Sequence, residues 1–174
     1  MKSILFIGIF LLAGVSFGSS STLEEFRMQK RFGIGFSAGG PLSILGIEAD
    51  VNLTEDFSLS GGLGTGLTYN TGMVKGRYFI NGDWVSPYLG LAVARWWTEG
   101  TRETKVAPAV LNSKFLEPGT NLRDGFNVWL VAPSIGVQFM HAMGLSVFAE
   151  VHYLFRLFSM SNGTYAGLGL HWYM

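Results

Sequence analysis

The sequence predicts an all-β chain folded as an eight-stranded antiparallel up-and-down barrel. Three observations carry that expectation. From Arg31 onward, bulky apolar residues alternate with small or polar ones, the period of a strand with two unlike faces. The alternation divides into eight segments of about the length of one strand. After the first few residues no run reaches 18 apolar residues, so a helical membrane span is not available to this chain.

Composition narrows the class. The 174 residues suit one domain and are 48% hydrophobic but only 14% charged, against about 25% charged in an ordinary soluble domain. Twelve basic and twelve acidic side chains cancel, which excludes nucleic-acid binding through bulk charge. The 24 glycines are about twice the usual share, and the lack of cysteine excludes disulfides, thiolate catalysis and cysteine metal sites. No cofactor is expected. His141, His152 and His171 lack metal-ligand spacing, and the glycine-rich stretches GIGFSAGG and GGLGTG lack the strand–helix setting and lysine of a phosphate loop.

The first 18 residues read as a secretory signal peptide. Lys2 precedes the apolar run Ile4–Val15, and small residues follow it. Cleavage is expected after Gly18 or one to three residues later. Residues 19–29 are then a short periplasmic segment, and 30–174 form the barrel.

The strands are expected near 30–39, 43–53, 57–69, 72–81, 86–97, 126–139, 145–156 and 164–174. The clearest is LSVFAEVHYLFR at 145–156, whose odd positions are all apolar or Tyr and whose charges all sit at even positions. Short polar breaks at TED, NGDWV and HAMG supply turn residues. The remaining connections are GPLS, NT, 157–163 and the long stretch 98–125, which holds eight of the 24 charges and two of the five prolines. Tight turns at one end and longer loops at the other suit a transmembrane barrel. Pro133 falls inside the sixth strand, where a closed ladder tolerates proline poorly, so a bulge is expected there.

Which face is apolar decides between a soluble barrel with a greasy lumen and a membrane barrel. One face carries residues such as Ile34, Phe36, Ile47, Leu63, Val74, Leu91, Val137, Val151 and Leu168, with Arg95 as its one charge. The other is Gly and Ser interspersed with Arg31, Glu48, Asp50, Lys75, Arg77, Gln138, Glu150, His152, Arg156 and His171. An eight-stranded lumen is just wide enough for side chains to fill it. The small residues fit inside, and a soluble exterior would carry far more Lys and Glu. The apolar face therefore points at lipid and the ten polar residues form a structural network in the lumen.

Buried charges have to be paired. The third strand presents Ser58, Ser60, Gly62, Gly64, Gly66 and Thr68 inward, a small-residue floor. Across it, Lys75 and Arg77 are expected to reach Glu48 and Asp50. A hairpin centred near residue 160 would set Glu150 opposite or diagonal to His171. Aromatic girdles are expected at Phe57, Trp84, Phe139, Trp172 and Tyr173 by the tight turns, and at Tyr69, Trp96, Trp97, Trp129 and Phe155 by the long loops. Arg95 is tolerable on the lipid face if its head snorkels to headgroup level.

The stretches SPYLGLAVARWW, APSIGVQFMHAMGLSVFAEVHYLF and YAGLGLHWYM make residues 30–174 resemble the small eight-stranded outer-membrane barrels of the OmpA-transmembrane-domain and OmpX type. The resemblance implies periplasmic termini, outer loops facing the medium, outer-membrane lipid and lipopolysaccharide as surroundings, and insertion by the barrel assembly machinery of a Gram-negative bacterium. The family's last strand usually ends in Phe, and Met174 stands there. A structural or surface-interaction role follows, with no enzymatic activity and recognition, if any, in the outer loops. Alternatives on a barrel of this size are a lipid A-modifying enzyme, a small pore and a soluble lipocalin-like carrier. FSMSNG at 158–163 resembles the His-x-Ser-Asn stretch of lipid A deacylases, but Ser159 stands where the base should be.

Overall fold

The computed structural model describes residues 23–66, 69–80, 84–99, 125–157 and 161–174. A short helix, α1 (Leu23–Gln29), precedes eight strands: β1 (Phe32–Gly39), β2 (Leu45–Asn52), β3 (Phe57–Thr65), β4 (Asn70–Phe79), β5 (Val85–Thr98), β6 (Phe126–Met140), β7 (Leu145–Arg156) and β8 (Asn162–Tyr173). Each strand pairs antiparallel with the next, and β1 pairs with β8 to close the barrel. Closure leaves no free sheet edge, which is the condition for strands to stand in lipid.

The period-two pattern sets the faces. Along β2 and β4 exposed or half-exposed residues alternate strictly with buried ones. Leu63, Phe36 and Ile135 are each more than 60% exposed, whereas Glu48, Asp50, Lys75, Arg77, His152 and His171 are 2% exposed or less. This band runs round all eight strands, far beyond the few hundred Å² of contiguous apolar surface a soluble monomer tolerates. The inversion is that of a membrane barrel.

Three inward aromatics sit on glycines of the neighbouring strand. Tyr88 faces Gly136, Phe148 faces Gly169, and Tyr173 faces Gly33. A Cβ at any of the three glycines would lie within 3 Å of that ring. The small residues are thus seats for large ones, the cross-strand pairing that pins register in curved sheets.

The inner turns are tight. At 53–56 the Leu53 amide donates to the Phe57 carbonyl, and the Phe57 amide to Thr54 Oγ1. At 141–144 Gly144 has φ +97°, open to glycine at little strain. Three expectations need correction. The β3–β4 turn is closed by the Gly66 amide on the Tyr69 carbonyl, so Asn70 and Thr71 begin β4 instead of forming the connection. Pro133 makes no bulge: Val131 pairs with Phe155 and Ser134 with His152, the same register on both sides of it. The ladder to β7 is interrupted there without an inserted residue. Finally, Tyr69, Trp96 and Tyr173 point into the lumen, not to the girdles. Adjacent residues of a strand cannot share a face, so Trp97 and Trp172 take the outward positions.

Candidate functional site

The lumen is filled in layers. In the half nearest the longer loops, the β1–β2 connection folds inward as a 3-10 turn over Gly40–Leu42. Leu42 is 1% exposed among Tyr69, Met73, Trp96, Leu130 and Leu154. Polar groups hold the turn in place. Trp96 Nε1 donates to the Pro41 carbonyl (2.7 Å), Thr71 Oγ1 to the Leu42 carbonyl (3.0 Å), and Ser43 and Tyr69 share a hydroxyl hydrogen bond (2.5 Å). Gly46 and Gly62 leave the room that Leu42 occupies.

Below this plug lies the ionic layer. Arg77 reaches Asp50 at 2.9 Å and Lys75 reaches Glu48 at 3.8 Å, both across the small-residue floor of β3. Lys75 makes its shorter contact, 2.8 Å, with Glu150 on the far wall. Glu150 also accepts from Tyr88 (3.0 Å) and lies 3.0 Å from His152 Nε2. His171 Nε2 is 3.5 Å from Glu48, and the Tyr173 hydroxyl donates to Asp50. Gln138 donates to Ser146 (2.7 Å) and Tyr173 (3.4 Å). The Phe148 ring lies beside both Lys75 and Arg77. Three carboxylates thus face two full cations and two imidazoles in a water-poor interior, where pairing offsets the desolvation of each ion.

Near the tight turns α1 closes the other end. Phe26 packs with Met140 and Tyr173, and the Arg27 guanidinium lies 3.8 Å from the centre of the Phe79 ring. Its Nη1 donates to the Glu55 carbonyl.

Eight of the ten residues expected in the lumen network are buried there: Glu48, Asp50, Lys75, Arg77, Gln138, Glu150, His152 and His171. Two are not in the layer. Arg31 is exposed at the inner rim, its Nε on the Met28 carbonyl, because it precedes β1 and no ladder enforces its face. Arg156, the last residue of β7, is half-buried beyond Leu154 of the apolar plug. Glu150 is not opposite or diagonal to His171. The register sets Glu150 against Gly167 and His171 against Ser146, so the β7–β8 hairpin is centred about two residues earlier than expected, and each imidazole finds a different carboxylate.

Tyr88 and Tyr173 were legible as members, since they share parity with Ser86 and His171. Arg27 was not, because no strand period reaches α1. Among the described residues no group of His, Asp and Glu could hold a metal. Residues 1–18, most of 98–125 and residues 158–160 lie outside the described residues.

No family model matches this sequence, and no curated protein matches it. Solved structures do. The N-terminal β-barrel domain of Pseudomonas aeruginosa OprF matches with a TM-score of 0.58 at 14% identity, covering 84% of this chain and 100% of that one. The Yersinia pestis outer membrane protein Ail, in a phospholipid bilayer nanodisc, matches with a TM-score of 0.43 at 11% identity, covering 83% and 99%. The closed eight-stranded barrel described above is therefore the fold of a small outer-membrane barrel such as the OprF N-terminal domain.

Proposed function

We propose that this chain is an integral outer-membrane barrel with a structural or surface-interaction role, a plugged lumen and no enzymatic activity. The observation that carries the reading is the pairing of an apolar exterior, on which Arg95 is the one ionised side chain among the described strand residues, with a buried ionic layer. Such an exterior does not suit a water-soluble carrier. The inward turn at Gly40–Leu42, the ionic layer and α1 fill the lumen in series, which disfavours a pore. The outer loops, 98–125 the longest, would carry any recognition. Export by the signal peptide at 1–18, insertion by the barrel assembly machinery, and a surround of outer-membrane lipid and lipopolysaccharide belong to the same reading.

Heat-modifiable gel migration of the outer-membrane fraction tests it. The folded barrel should migrate differently before and after boiling, and planar bilayers should show no large stable conductance. A detergent-free soluble protein with no heat shift would overturn the reading, as would large conductance steps. Lipid A acyl chains should be the same in cells with and without the protein; a changed acylation pattern would mean an enzyme.

A further inference from the structure

Among the described strand residues, Arg95 is the one ionised side chain on the outward face. Its height on the wall is defined by the register. One outward rung below it, Val74, Val93 and Val131 form an apolar row; one rung above, Asn70, Trp97 and Asn127 form a polar and aromatic row. Arg95 therefore sits where the apolar band ends, on the side of the longer loops.

The side chain is held there. Nε donates to Asn127 Oδ1 at 2.9 Å, and the guanidinium carbon lies 5.3 Å from the Trp97 ring centre and 5.8 Å from that of Trp129. Both Nη groups have no hydrogen-bond partner among the described residues. On the β4 side the neighbour is Gly72, with the Trp97 ring close beside it, so no side chain crowds the guanidinium from that strand. A guanidinium fixed in orientation, with two donor groups spare, matches the oxygens of a phosphate in a two-pronged geometry. Lower on the same wall an apolar furrow is lined by Leu89, Pro133, Ile135, Val151 and Tyr153, suited to an acyl chain.

We propose that Arg95, clamped by Trp97 and Trp129, binds the phosphate of an outer-leaflet lipid headgroup whose acyl chain runs down this wall. The proposal rests on the reading of the exterior as the surface of an outer-membrane barrel. Tight turns on the inner side and longer loops outside put Arg95 at the outer leaflet.

The test uses the full mature chain in detergent, as wild type, R95K and R95Q, each first shown to be folded by its heat-modifiable gel shift. Binding of bisphosphorylated lipid A is measured by native mass spectrometry, alongside the same lipid A stripped of its phosphates, and with inorganic phosphate as competitor. R95Q should bind intact lipid A about tenfold more weakly, the loss of a charge-assisted two-pronged contact. R95K, which keeps charge without the fork, should fall between. Stripped lipid A should bind wild type as weakly as intact lipid A binds R95Q, and millimolar inorganic phosphate should not compete. Equal binding by folded R95Q and wild type overturns the proposal, and so does equal binding of stripped and intact lipid A. Full competition by inorganic phosphate overturns the lipid as its source. Failure of the membrane reading looks different: a wild-type chain soluble without detergent and lacking the heat shift.

Discussion

Replacing Lys75 by Met removes the one cation that spans the lumen from Glu48 to Glu150. At an effective dielectric of about 20, attraction at 2.8 Å is worth about 6 kcal/mol and at 3.8 Å about 4 kcal/mol, before desolvation. Desolvation of the ammonium takes back several kcal/mol. What decides the result is the state left behind: Glu48 and Glu150 stay buried, with His171, and with His152 and Tyr88, as their remaining partners. Breaking one side of a buried pair typically costs about 3–5 kcal/mol, and that is the expected loss. In vesicles, with a urea slope of about 2 kcal/mol/M, the unfolding midpoint followed by Trp fluorescence should fall by about 2 M. Adding Glu150→Gln to Lys75→Met should recover at least half of the loss, because an unpaired carboxylate is removed. A single-variant loss below about 1 kcal/mol, the worth of an exposed pair, would refute the reasoning.

Other perturbations probe the remaining layers by the same unfolding measurement. Gly169→Val forces the Phe148 ring off its seat and should destabilise by about 1–3 kcal/mol, the usual effect of overpacking. Trp96→Phe deletes the donor to the Pro41 carbonyl and should cost about 1 kcal/mol if the inward turn is held as described. Phe26→Ala should cost about 3 kcal/mol or more if α1 is docked, and close to nothing if the helix is free of the barrel mouth.

The strands and their faces were legible because a barrel wall needs period-two alternation along its whole length, and a one-residue slip would turn charge to lipid. Segment 145–156 coincides with β7 for that reason. The pairs Lys75–Glu48 and Arg77–Asp50 were legible because neighbouring strands are fixed by connectivity alone. Lys75–Glu150 was not, since it joins strands far apart around the circumference, and only the closed cross-section brings them together. The misplacement of Glu150 against His171 has a simple origin. Turn length sets hairpin register, and the one two-residue turn signal in residues 157–163, Asn162-Gly163, lies inside β8, where Asn162 pairs with Phe155 and Gly163 with Leu154, so it does not mark the turn. The inward fold of Gly40–Leu42 likewise leaves little trace in sequence. GPLS reads as a turn, and its direction depends on the space that Gly46 and Gly62 leave on neighbouring strands.

The most direct test of the inverted arrangement exploits the absence of native cysteine. Nitroxide labels on cysteines placed at Leu91, Val137 and Val151 should be relaxed strongly by oxygen and weakly by a water-soluble nickel complex. Cysteines at Ser60 and Ser146 should resist labelling in the folded protein. Labels at Leu91, Val137 and Val151 that are shielded from oxygen, together with freely reactive cysteines at the two serines, would contradict the account.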